Sequence, residues 1–196
     1  MPLGTHKAAL FGVAGVSTDT VVLLSTQTAS GASEIEFTSG IDSTYGEYIF
    51  AFYNVNPATD ADNFTFNGSI DGGSNYNVTK TSSSFTANQD EDGDPAAMAY
   101  ETSLDLGQGT GYQILTGNMA NDADMCGNGI IHLFNPASTT YVKHFYSESS
   151  DNGSNRAMHS FRAGYFNTTS AVNAISFKVV SGGNFDGTIK MWGVKN

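Results

Sequence analysis

Two apolar runs joined by an Asn-Pro turn constrain this chain more than any other stretch: Gly129-Ile-Ile-His-Leu-Phe134 and Tyr141-Val-Lys-His-Phe-Tyr146. Asn135-Pro136 followed by small and hydroxyl residues is a turn signal, because Pro fixes φ and Asn tolerates left-handed backbone. The flanking runs are rich in β-branched and aromatic residues, which suit a pleated surface, and read as two long strands joined by a short turn. Neither alternates cleanly. Ile131 and Leu133 face one way, Ile130 and Phe134 the other, and Val142 opposes Tyr141 and Phe145. A hairpin that is apolar on both sides must be covered on both. One cover is the domain's own second sheet; the other is a loop or a neighbouring subunit.

Glu47–Val55 poses the same problem, being the most apolar strand and also two-faced. Glu34-Ile-Glu-Phe-Thr38 alternates as a half-solvated strand should, with both Glu outward. Asn63–Ile70 alternates with Phe64, Phe66 and Ile70 on one face, and Asp71-Gly-Gly-Ser-Asn75 turns after it. Further strands are expected at Thr20–Gln27, Tyr76–Thr81, Ser84–Ala87, Tyr112–Met119, Met158–Phe166, Ala174–Val180 and Gly187–Val194. The 88–106 stretch is the least strand-like, with a short helix possible around Ala96–Leu104. About ten strands, roughly ten residues apart and separated by Gly, Asn and Pro turns, indicate an all-β antiparallel sandwich or jelly roll with little or no helix. Residues 20–196 form this single domain. Residues 1–19 read as an apolar arm or buried first strand, in preference to a secretory leader. Leu10, Phe11, Val13 and Val16 of that arm, with Tyr48, Phe50, Phe52, Phe134, Tyr141 and Phe145, are the candidate interface residues.

Charge narrows the partners. With 8 basic residues, none clustered, and a net charge of −11, the chain has no stripe for a phosphate backbone or an anionic membrane. Cys126 stands alone, so no internal disulfide forms. Asp90, Asp92 and Asp94 around Gly93 offer alternating hard oxygens of the kind a Ca²⁺ loop uses, although no Glu follows at the twelfth position; a solvated acidic loop is preferred. His132, His144 and His159 on strands could converge, but no metal-ligand spacing supports it. Cys126 lacks an orienting motif for nucleophilic work. Neither a P-loop, a dinucleotide fingerprint nor a Gly-x-Ser-x-Gly elbow occurs, and the expectation is a non-enzyme without cofactor. Exposed aromatics such as Trp192 or Tyr45 beside Asn and Asp could stack on a host glycan, which makes a carbohydrate-binding module the alternative.

Five strings together resemble small virion proteins of tailed bacteriophages, particularly those of marine bacteria: Thr28-Ala-Ser-Gly-Ala-Ser-Glu-Ile-Glu-Phe-Thr-Ser-Gly-Ile-Asp-Ser-Thr-Tyr45, Ser69-Ile-Asp-Gly-Gly-Ser-Asn-Tyr-Asn77, Leu133-Phe-Asn-Pro-Ala-Ser-Thr-Thr-Tyr-Val142, Gly164-Tyr-Phe-Asn-Thr-Thr-Ser-Ala-Val172 and Gly187-Thr-Ile-Lys190. None is catalytic. The resemblance implies a structural component of the virion, either a capsid decoration protein or a tail or fibre appendage. The two-faced strands and the apolar arm, which need more cover than one sandwich supplies, lead to the expectation of a homotrimer beside other capsid or tail proteins.

Overall fold

The computed structural model describes residues 20–93, 96–153 and 155–195. Twelve strands occur among these, and no helix: β1 (Val21–Ala32), β2 (Ile35–Phe37), β3 (Glu47–Pro57), β4 (Phe64–Ser69), β5 (Lys80–Asp90), β6 (Ala96–Tyr100), β7 (Gln113–Ile114), β8 (Gly127–Phe134), β9 (Lys143–Gly153), β10 (Arg156–Phe166), β11 (Ala174–Val179) and β12 (Phe185–Val194). They form two antiparallel sheets. One has eight strands in the order β1-β12-β3-β8-β9-β10-β5-β6, the other four in the order β2-β11-β4-β7. The antiparallel sandwich expected from the strand spacing is what forms. Leu10, Phe11, Val13 and Val16 of the expected arm lie outside the described residues.

The core lies between the small sheet and the β12-β3-β8 part of the large one, and it is aromatic. Phe177 on β11 is its hub, with ring centroids 5.6 Å from Phe50, 5.7 Å from Phe64, 6.1 Å from Phe37 and 6.4 Å from Phe66. Phe66 extends the cluster to Phe145 at 5.1 Å and Phe166 at 6.0 Å. Edge and tilted arrangements dominate, as the ring quadrupoles favour, and each such pair adds about 0.5–1.5 kcal/mol beyond its buried area. Close strand approach needs small residues here. A Cβ on Gly164 of β10 would stand 2.5 Å from the Thr81 carbonyl oxygen and 2.9 Å from the Phe145 ring.

Several expectations are corrected. Tyr48, Phe50, Phe52 and Phe145, named above as interface residues, are fully buried in this core, because the small sheet covers the face they share. The second face of β3 carries Ile49, Ala51 and Tyr53, and it is this side that the small sheet does not cover. Ala96–Tyr100 is a strand and no helix, since it zips onto β5 from Phe85 to Gln89. The β8–β9 connection is long: the strands end at Phe134 and resume at Lys143. Ser84–Ala87 is the middle of β5, residues 76–79 lie before that strand, and Tyr112–Met119 contracts to the two-residue β7. Ile70 sits past the end of β4 and is exposed.

Replacing Phe177 by Ala removes the hub of four ring contacts and is expected to cost about 3–5 kcal/mol. Equilibrium denaturant unfolding measures this, with Ile70→Ala as the exposed control expected within about 0.5 kcal/mol of wild type.

Candidate functional site

The large sheet is twice as wide in strands as the small one, and what lies beyond the aromatic core follows from that. At the far side β6 overhangs. All five of its residues, Ala-Ala-Met-Ala-Tyr, are exposed, with Met98 at 77% and Tyr100 at 54%. It is an edge strand without a charge. Natural edges are normally blunted by charges, Pro or bulges, and an apolar unblunted one is a template for pairing. The opposite edge, β1, shows two register irregularities, between Leu23 and Ser25 and between Ala29 and Ala32. Next to β6, Phe85 of β5 stacks on Phe161 of β10 at 4.7 Å, and Phe161 stacks on His159 at 4.3 Å. Tyr100 pairs in register with Phe85. An aromatic band on the outer face therefore leads straight to the open edge.

On the inner face the same strands carry polar side chains. Register puts Ser147, Arg162 and Ser84 in one row across β9, β10 and β5, and Ser149, Ser160 and Thr86 in the next. All six are buried. The cover is the 113–117 segment, whose backbone supplies the partners: Arg162 Nε donates to the Ile114 carbonyl at 3.1 Å, Ser149 Oγ to Leu115 O at 2.9 Å, and the Gly117 amide to Asp151 Oδ2 at 2.9 Å. Five polar atoms of this layer have no partner among the described residues: Ser84 Oγ, Ser147 Oγ, Ser160 Oγ, Asp151 Oδ1 and Arg162 Nη2. Burial pushes the Asp151 carboxyl up to about 6, against the pull of the Gly117 amide and the Arg162 charge, and pulls Arg162 down to about 10. A polar cleft of about 530 Å³ opens at this end, with Thr86, Glu101, Gly117 and Met158 in its lining. Thr86 Oγ1 donates to Glu101 there at 2.7 Å.

The residues singled out in the sequence are mostly dispersed. Asp90 is held by the Arg156 guanidinium, which keeps its carboxyl below the usual range and takes up the oxygens a Ca²⁺ ion would need. Asp92 lies in the following turn and Asp94 falls outside the described residues. His132, His144 and His159 do not converge. Each stands beside a ring on the outer face: His132 on Tyr146 at 4.4 Å, His159 on Phe161, and His144 5.8 Å from Tyr165. His132 also pairs with Glu47. Among the described residues no group of three His, Cys, Asp or Glu is placed to hold a metal. Cys126 is half-buried and accepts from Asn128 Nδ2 at 3.4 Å. Glu34, expected to point to water, accepts from the Tyr112 hydroxyl at 2.9 Å and also from Ser176. Trp192 and Tyr45 are half-buried and Phe134 likewise, whereas Tyr141 is 73% exposed. The polar layer has little signature in the sequence. Its only signal is Ser147-Glu-Ser-Ser-Asp151, in which small hydroxyl residues occupy the positions where an inward apolar residue is normally sought.

Asp151 gives a pH signature with a defined sign. An acid raised in the folded state contributes its full stability below its unfolded value near 3.8 and loses it as pH rises through about 6. Asp151→Asn keeps an acceptor for the Gly117 amide without the buried charge. It is expected to be more stable than wild type by about 1–3 kcal/mol at pH 8, with the difference closing by pH 4. Denaturant unfolding across that range measures it. Compared with known proteins, the chain matches no family model and no curated relative.

Proposed function

We propose that this chain is a non-enzymatic structural component of a bacteriophage virion, a capsid decoration or tail or fibre appendage protein, that works by assembling with further copies of itself. The reading rests on one observation above all: β6 is an apolar, uncharged, fully exposed edge strand, continuous with the Phe161–Phe85–Tyr100 band. Leaving such an edge open costs solubility, and adding a strand from another copy satisfies its backbone groups while covering Met98 and Tyr100. The partner is a like chain. No residue of the strand is basic or acidic, the nearest charges being Glu101 and the Asp105 carboxylate that accepts from the Tyr100 hydroxyl at 2.7 Å, and a net charge of −11 keeps copies from associating except where apolar surface outweighs repulsion. A homotrimer on the particle is the expected form, with the capsid or tail as the neighbouring surface and residues 1–19 as the segment that docks there.

Sedimentation of the full chain tests this. Wild type is expected to sediment as an oligomer, and the mass gives the copy number. Met98→Lys with Tyr100→Lys is expected to give a folded monomer, since both side chains are exposed in one copy, and the stability it lacks against the assembled wild type is expected to grow with wild-type concentration. A wild-type chain that remains monomeric at tens of micromolar would overturn the proposal.

A further inference from the structure

At the opposite end of the large sheet from the polar cleft, the long β8–β9 connection builds a second cavity. It measures about 580 Å³ and is lined by Phe134, Asn135, Ser138, Tyr141, Val142 and His144. The size suits a small-molecule ligand. The connection is held from every side. The Asn135 amide donates to the Gly46 carbonyl at 2.7 Å, the Val172 amide to Pro136 O at 2.9 Å, and the Tyr141 amide to Ser138 Oγ at 3.1 Å. The buried Lys143 ammonium donates to the Tyr141 carbonyl at 2.8 Å and to Thr168 O at 3.0 Å, tying the base of Tyr141 to the β10–β11 loop. Asn135 itself has a φ of 44°, a left-handed conformation that a non-glycine residue adopts at a cost. A loop stitched this firmly nevertheless leaves the Tyr141 ring 73% exposed. Asn135, Tyr141 and His144 are all exposed at the cavity.

We propose that this pocket binds a neutral pyranose sugar. The Tyr141 ring is the platform against which the apolar face of the sugar packs. Asn135 offers both donor and acceptor, the Ser138 hydroxyl still has its proton to donate, and His144 supplies one nitrogen of each kind in its neutral form. No charged side chain lines the cavity, so an anionic or cationic ligand would find no counter-charge there. The surrounding hydrogen bonds fix the backbone that carries the reading groups before the sugar arrives, which lowers the part of the ordering cost that falls on the loop. The inference goes beyond self-assembly through β6, an edge strand three places along the sheet from β9, and is read by a different measurement.

Saturation-transfer NMR of the full chain with the methyl glycosides of glucose, galactose, mannose and N-acetylglucosamine tests it. At least one is expected to bind with a dissociation constant on the order of 1 mM, through its ring protons. Tyr141→Ala is expected to weaken that binding about tenfold or more, and Tyr141→Phe to keep it within about threefold. Tyr141 is exposed enough for both variants to fold, and unfolding curves check that they do. The proposal is overturned if none of the four glycosides binds at low-millimolar concentration. It is equally overturned if Tyr141→Ala leaves binding unchanged, or if that substitution alters the sedimentation of the protein in place of its sugar affinity.

Discussion

A sheet of eight strands packed against a sheet of four cannot be covered along its whole width, and the rest of this molecule is arranged around that mismatch. Where the two sheets overlap fully, the space is filled by phenylalanine rings, with Phe177 touching four others. Where only β7 and the segment after it reach, backbone carbonyls and amides face the large sheet, and the sheet answers with serines, Arg162 and Asp151. Beyond that none of the described residues covers the sheet, and β6 stands with both faces exposed. The chemistry of each strand follows the cover available to it.

The polar layer is costly as a means of stabilisation. Burying a guanidinium with one nitrogen unpartnered, and a carboxylate with one oxygen unpartnered, is the kind of arrangement that well-packed apolar side chains commonly match or exceed in stability. What it supplies is register. A one-residue slip of β9 against β10 would carry Ser147, Ser149 and Asp151 to the outer face and bring Glu148 and Tyr146 inward, where the 113–117 backbone offers them nothing. Polar specificity thus does for β9 and β10 what ring packing does for β3 and β12.

The fold class was legible in the sequence because it depends on period and punctuation. Ile35 and Phe37, Phe64 and Phe66, and Ile175, Phe177 and Val179 alternate as they read, and all are buried. The two-faced character of residues 47–55 and 130–134 was also legible, but the occupants of each face were not. Tyr48, Phe50 and Phe52 face inward because the small sheet lies on that side, a long-range fact that no local pattern contains. The short helix expected around Ala96–Leu104 gives way to a strand at Ala96–Tyr100 because β5 offers it an edge, an instance of tertiary context overriding propensity. The pattern places Tyr141 in a strand, whereas it belongs to the eight-residue connection between β8 and β9. The charged interior was the least visible, since a buried Arg162 looks in sequence like any surface arginine.

The unequal filling of the two halves also sets where the sandwich yields first. The ring-packed half loses many dispersion contacts at once when it opens, while the serine-lined half exchanges one set of hydrogen bonds for another with water. Within the covered part of the sandwich, local opening is therefore cheaper around 113–117 and the adjoining ends of β9 and β10 than in the aromatic core, and amide protons there exchange with solvent ahead of those in β3, β11 and β12. The large sheet breathes at one end while its other end stays shut.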